Sequence, residues 1–564
     1  MTRKLRTPLF FVAAYAALLL LHLTLLDLPY YWDEAGYFIP AARDIYADGS
    51  FIPHSTLSNA HPPLVMTWIA LAWKLFGFNI VVARAAMACV AALALTGVYA
   101  LGRRVAGESV ALATAVCTAL YPVFFAQSTL AHLDMMVAAL TTWALVLYLP
   151  PSGAEPLQRG ATSLHQDATT LHDHATQLRS DATALHGDTT PLHSDTTQLR
   201  GDATTLRGDA GSLRAEGNPH LRRALCVFLL ALAALAKETA VLVPVVLCGW
   251  ELSCRLLSKR EKLSSLICLE RRPAWWSLTL LLAGVPLALW FAYHRARTGY
   301  TLGNPEYFRY NVESTLSLAR ILDTVWRRLG HVTFHMNLWA LTLAGLAAMF
   351  LRPRRDGGTE RPRISVPVQL LFLVLILAHV FALSVVGGAV LARYMLPVLP
   401  LVILIWVSTL RRRVPAWPLA VALVCAAFVY RSEVNPAYSF PWEENLAYRD
   451  FILLHRDAAR FLSENYAGAR VLTSWPATDE LRNPYYGYTP RALTVVPVEN
   501  FLAPELERAA ARESEYDVAL LYSSHGGPGL DEAARLLGAR VVFREERKGQ
   551  WVAVLEKWSV ESSR

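Results

Sequence analysis

The chain is poor in charge, and its cysteines lie where they build nothing. Charged residues make up 17% of its 564 positions, against about 25% in an average globular protein. The seven cysteines are scattered in or beside apolar runs. Cys254 and Cys268 have no ligand-spaced partners, which argues against zinc. None falls after residue 432, so that stretch has no disulfide framework. No small-residue cleavage site follows the first apolar run, which therefore reads as a retained anchor. No Gly-rich loop of the nucleotide-phosphate kind occurs, and no inverted internal repeat is apparent.

Long apolar runs are what the chain does have. Hydrophobic residues reach 54%, with a mean hydropathy of +0.31. Runs near 9–28, 80–101, 108–126, 133–149, 223–236, 240–257, 275–293, 336–351, 366–386, 393–410 and 415–430 predict about eleven spans. The stretch from Pro62 to Phe78 is apolar but ambiguous. The net charge of +8 comes from clusters in short connections: Arg103-Arg104, Arg222-Arg223, Lys259-Arg260, Arg352 to Arg355 and Arg411-Arg412-Arg413. That is the positive-inside pattern, not a nucleic-acid stripe. The fold class expected is a polytopic α-helical membrane protein.

The first span follows Arg3, Lys4 and Arg6 and exits outward through Pro29-Tyr30-Tyr31-Trp32 to the acidic pair Asp33-Glu34. Carboxylates fixed at the lipid boundary are costly and usually functional, the plain alternative being a wet loop start. The outer loop runs from 28 to 79. Within it Tyr37, Phe38, Ala41 and Ile45 recur at helical spacing opposite Arg43, Asp44 and Asp48, predicting a helix lying on the membrane.

Four regions follow: a membrane part over 1–150, an insert over 151–221, a second membrane part over 222–431 and a C-terminal piece over 432–564. In the insert, Leu164 to Leu213 recur every seven residues, formally a heptad pattern. Thr, Asp, Gly and Pro191 oppose a helix there, and a tandem duplicated cytoplasmic insert explains it best. In the C-terminal piece, the strand-like segments 470–473, 517–521 and 541–543 alternate with helix-like 449–465 and 503–515, predicting a small extracytoplasmic α/β domain.

The ordered motifs Tyr31-Trp32-Asp33-Glu34-Ala35-Gly36-Tyr37, His61-Pro62-Pro63-Leu64, Leu75-Phe76-Gly77, Ala83-Arg84, Gly102-Arg103-Arg104, Ala126-Gln127 and Leu133-Asp134 resemble the family 39 membrane glycosyltransferases. These include protein O-mannosyltransferases and lipid A aminoarabinose transferases, with the GT-C fold. Ala236-Lys237-Glu238 and Arg393-Tyr394-Met395-Leu396-Pro397 extend the likeness, which is strongest over 28–150. The resemblance implies an inverting hexosyl- or pentosyltransferase that takes its sugar from a polyprenyl-phosphate carrier. The acceptor stays open among glycan, lipid and protein. The many-span, basic-inside layout suits a bacterial inner membrane, among membrane lipids, with the active site facing the periplasm; an endoplasmic-reticulum enzyme would share that layout. The alternative is a transporter or flippase of lipid-linked sugars.

A phosphate leaving group needs cations, and an acceptor hydroxyl needs a carboxylate to take its proton. The resemblance makes Asp33 that base and lets Glu34 orient the acceptor or a cation. Adjacent carboxylates point apart, so they are not the flanking pair of a retaining glycosidase. Substrate-binding candidates are His61, Asp134, Lys237, Arg309, Arg393 and Tyr394. Lys237 and Arg393 suit a phosphate, with snorkelling or interfacial anchoring as their plainer roles. Asp134 has helix capping as its alternative, and His61 loop shaping. Arg309 belongs to a basic, aromatic outer loop with Tyr307 and Tyr310, between His294 and His335. A divalent metal is possible but not indicated: no Asp-x-Asp follows the first span.

Overall fold

The computed structural model describes residues 5–150, 218–257, 260, 267–269, 273–305, 309, 316–386, 388–434, 442–524 and 526–557. The heptad leucines, Tyr307 and Tyr310 lie outside them. Helix stands at each of the eleven apolar runs. Among the described residues, six helices are long and apolar enough to cross a membrane, including Ile80–Val105 and Val366–Val386. Shorter apolar helices include Arg6–Leu21, Glu108–Leu120 and Leu133–Tyr148. The chain has the makeup of a multi-pass membrane protein.

Local chemistry sets the breaks. Asn79 caps Ile80–Val105 by accepting from the Val82 N–H at 2.9 Å. Gly107, at φ +91°, turns the chain into Glu108–Leu120. The two helices pack through small residues, and a Cβ on Gly102 would stand 2.8 Å from Ala111 Cα. Backbone cannot yield as a flexible side chain can. Gly102→Val is expected to cost about 1–3 kcal/mol, lowering the thermal unfolding midpoint in detergent. An unchanged midpoint would refute this close packing.

The long apolar segment Leu318–Met349 is not one rod. Met336 and Asn337 take φ +48° and +66° and separate an amphipathic helix, Leu318–Thr333, from an apolar one, Leu338–Met349. Past the first helix, a helix does form over Ile39–Asp48, but Asp44 departs from the expected wet face. It is buried because the chain folds back over it: the N–H groups of His54 and Ser55 and the Ser55 hydroxyl all donate to Asp44 Oδ2. The ambiguous apolar stretch is the helix Leu64–Phe76.

A two-stranded ribbon, β1 (Arg355–Asp356) and β2 (Thr359–Glu360), precedes the main sheet. That sheet comprises β3 (Arg470–Thr473), β4 (Thr494–Pro497), β5 (Val518–Tyr522), β6 (Ala539–Arg547) and β7 (Gln550–Lys557). Its order is β4-β3-β5-β7-β6, with β3 parallel to β4 and β5, and β7 antiparallel to β5 and β6. The buried strand Val518–Tyr522 is apolar throughout, as a strand covered on both faces must be. One compact unit, Met1–Ala144 with Val227–Arg564, holds both this sheet and most of the helices. The second unit is Leu145–Cys226. In it the Arg222 guanidinium donates to the carbonyls of Leu147 and Leu149 at 2.9 and 2.6 Å, satisfying the end of a helix.

Candidate active site

Leaving the first helix, the chain reaches Trp32 at φ +47°, a strained backbone for a bulky residue, and then a π-helical turn, Glu34–Phe38. This turn splits the acidic pair. Glu34 goes inward and is fully buried. Arg84 grips it with two bonds, Nη1 to Oε1 at 2.6 Å and Nη2 to Oε2 at 2.9 Å. The backbone N–H groups of Tyr31 and Ala131 donate to the same carboxylate at 3.1 and 2.6 Å. Every lone pair is used, and Glu34 does not line the cavity that Asp33 faces. Sequence spacing alone cannot separate the two.

Asp33 opens into a cavity of about 540 Å³, a size suited to a small ligand or a sugar. Its side chain is 38% exposed, whereas those of Arg393, Asp134 and Glu443 stay at 6% or less. Asp33 is thus the carboxylate of this group that a bound molecule meets. Arg393, in a short 3-10 turn before Leu399–Arg413, is the hub. It pairs with Asp33, lies 3.1 Å from Glu443 Oε2 and 3.6 Å from Asp134 Oδ2. Lys237 follows the helix Pro219–Ala236 and holds Asp134 Oδ1 at 2.7 Å. Its ammonium also stands 3.6 Å above the ring of Tyr394, a cation–π contact.

His61 lies in the same cavity, its Nδ1 3.3 Å from Glu238 Oε2. Of the expected residues, Asp33, His61, Asp134, Lys237, Arg393 and Tyr394 therefore converge. Arg309 is exposed and does not line the cavity.

Two cavity residues that were not expected stand against Arg393. His132 is buried in the turn before Leu133–Tyr148. Its Nδ1–H donates to Gln127 Oε1 at 2.7 Å, leaving Nε2 to face Arg393 Nη1 at 3.4 Å. Burial first, then the nearby Arg393 charge, holds its pKa well below the usual histidine range. Glu443 enters just before the helix Ala447–Asn465, and its carbonyl accepts from Gln127 Nε2 at 2.7 Å. Burial pushes its pKa up to about 7, with the Asp33 charge adding to the rise and Arg393 opposing it. A signal for it existed: Glu443-Glu444 is an acidic doublet after the last apolar run, as Asp33-Glu34 is after the first. There too one member is tied elsewhere, Glu444 being bonded to His335 Nε2 at 2.8 Å.

Asp33, His132 and Glu443 bring possible metal-ligand atoms within 4.8 Å of one another. Arg393 contacts all three, so a cationic group already stands among them.

Residues 60–155 match the family described as dolichyl-phosphate-mannose-protein mannosyltransferase. No curated protein matches the chain in sequence. Among solved structures the chain is similar to ArnT from Cupriavidus metallidurans in the apo state, with a TM-score of 0.52, 16% identity and 98% of each chain covered. It is similarly close to ArnT of that organism bound to undecaprenyl phosphate, with a TM-score of 0.51, 16% identity and 97% of each chain covered. The likeness to GT-C glycosyltransferases read from the motifs stands.

Proposed function

We propose that the chain is an inverting glycosyltransferase that moves a sugar from a polyprenyl-phosphate carrier to an acceptor hydroxyl at the outer face of the membrane. One observation carries the reading: the accessible carboxylate of Asp33 shares a cavity wall with Arg393 and Lys237. In the proposed reaction Asp33 takes the hydroxyl proton as the acceptor oxygen attacks the anomeric carbon. The bond from that carbon to the phosphate oxygen breaks, and the configuration inverts. The departing polyprenyl phosphate keeps the bonding electrons, and Arg393 and Lys237 meet its charge. Asp134 and Tyr394 hold Lys237 in place. Glu34 is a positioning residue that fixes the turn carrying Asp33.

The outer-face reading rests on the helices themselves. Ile80–Val105 starts beside the site, at Arg84, and ends at Arg103-Arg104. Leu399–Arg413 starts just after Arg393 and ends in three arginines. The basic ends that mark a cytoplasmic side are those away from the cavity. A bacterial inner membrane crossed about eleven times, with a periplasmic site, fits this arrangement. The transporter reading gains nothing from a site gathered at one end of the helices.

Purified protein supplied with labelled polyprenyl-phosphate sugars and membrane extract should transfer label covalently. Movement of intact donor across a vesicle without covalent transfer would favour transport. A chelator should leave the transfer rate unchanged, because Arg393 supplies the central cation. A rate abolished by chelation and restored by one divalent ion would put that ion at Asp33, His132 and Glu443 instead.

A further inference from the structure

The wall of the cavity carries a feature the transfer chemistry does not use. Trp32 and Trp442 line it with Asp33. Trp475 stands against Trp32, their ring centroids 4.3 Å apart and their planes at 64°. Although tryptophan is usually well buried, Trp442 is 43% exposed and Trp475 is 39% exposed. Trp475 also comes so close to the turn that a Cβ on Gly36 would meet it at 3.3 Å.

The sheet explains why Trp475 is there. It sits just past the carboxyl end of β3, whose parallel neighbour is β5. The chain leaves β3 toward β4 on one side, and after β5 it builds β7 and β6 on the other. Such a reversal opens a crevice outside the carboxyl ends of the two strands, where ligands of open α/β sheets bind. The Tyr522 hydroxyl, at the end of β5, fixes this edge by donating to the Trp475 carbonyl at 2.6 Å.

We propose that Trp32, Trp442 and Trp475 form an aromatic rest for a carbohydrate acceptor, which reaches Asp33 from the carboxyl edge of the sheet. The inference rests on Asp33 being the proton acceptor. A sugar ring has an apolar C–H face that lies on the electron-rich face of an indole, and a rim of hydroxyls that donate to carboxylates. Both partners are present: Trp32 and Trp442 line the cavity with Asp33 and Glu443, and Trp475 stands behind Trp32. A peptide acceptor binding by strand addition needs a free sheet edge. The strand leading to Trp475 offers none, because β3 is paired on both sides. The acceptor proposed is a carbohydrate, as a glycan or a glycolipid headgroup.

The test uses the full chain in lipid nanodiscs on two printed arrays, one of neutral oligosaccharides and one of Ser/Thr peptides. Wild type should be retained on oligosaccharides, and Trp442→Leu and Trp475→Leu should each weaken retention about tenfold, as loss of one stacking contact implies. Trp442→Phe and Trp475→Phe should restore most of it, which a merely structural role would not predict. Selective retention on peptides overturns the proposal. So does the absence of oligosaccharide binding, or binding indifferent to both leucine variants. Oligosaccharide binding by a chain that never turns over polyprenyl-phosphate sugar would overturn the transferase reading and leave the carbohydrate site standing.

Discussion

Asp33→Asn is expected to leave the chain folded and to lower sugar transfer about 10³-fold, the usual worth of a positioned general base. The substitution keeps the side-chain shape and an oxygen for Arg393, but removes the site that takes the proton. Donor binding should change little, because Lys237 still holds Asp134 at 2.7 Å beside Tyr394. The expected signature is therefore a fall in kcat with a donor KM near that of wild type, measured with labelled donor at matched protein levels. Transfer surviving at a tenth of the wild-type rate would move the proton acceptor to another cavity carboxylate, with Glu443 first in line.

Arg84→Met should damage the protein in a different way. It leaves the Glu34 carboxylate fully buried with two backbone donors and no cation. Breaking one side of a buried ion pair costs about 3–5 kcal/mol, whereas replacing both sides with apolar groups is often nearly neutral. The single variant should unfold at a clearly lower temperature in detergent, and the double variant Arg84→Met with Glu34→Met should recover much of the loss. A single variant as stable as wild type would show that the pair does not fix the turn. Because Glu34 is walled off from the cavity, Glu34→Gln that remains folded should still transfer sugar. If it were folded and inactive, Glu34 would act on substrate directly.

The two variants mark where sequence reasoning reaches and where it stops. Asp33 stood out because a long apolar run, a basic start and an aromatic cluster all bear on one position. Which of two neighbouring acids faces the cavity was not legible, since the choice is made by Arg84 and by the backbone at Ala131, far along the chain. Lys237 and Arg393, both of which prove buried, stood out as charges beside apolar runs. His132 and Glu443 did not, because Gln127 joins them only once the helices are packed. Asp44 was misplaced for a related reason: helical spacing sees one helix, not the loop at His54 and Ser55 that covers it. In the sheet, β3, β5 and the middle of β6 were found as apolar runs. The short β4 ends in proline, and the apolar run Trp551–Leu555 of β7 was passed over although it carries a strand's composition.

A turn between β3 and β4 also grips the segment that presents Asp33. Tyr486 donates its hydroxyl to the Ala35 carbonyl at 2.6 Å, and its own carbonyl accepts from the Tyr30 N–H at 3.0 Å. The same C-terminal piece brings Glu443 to the cavity. It is therefore not a cassette that recombination can exchange among membrane cores. A chimera joined near residue 433 would inherit helices of the right length around a turn without its splint.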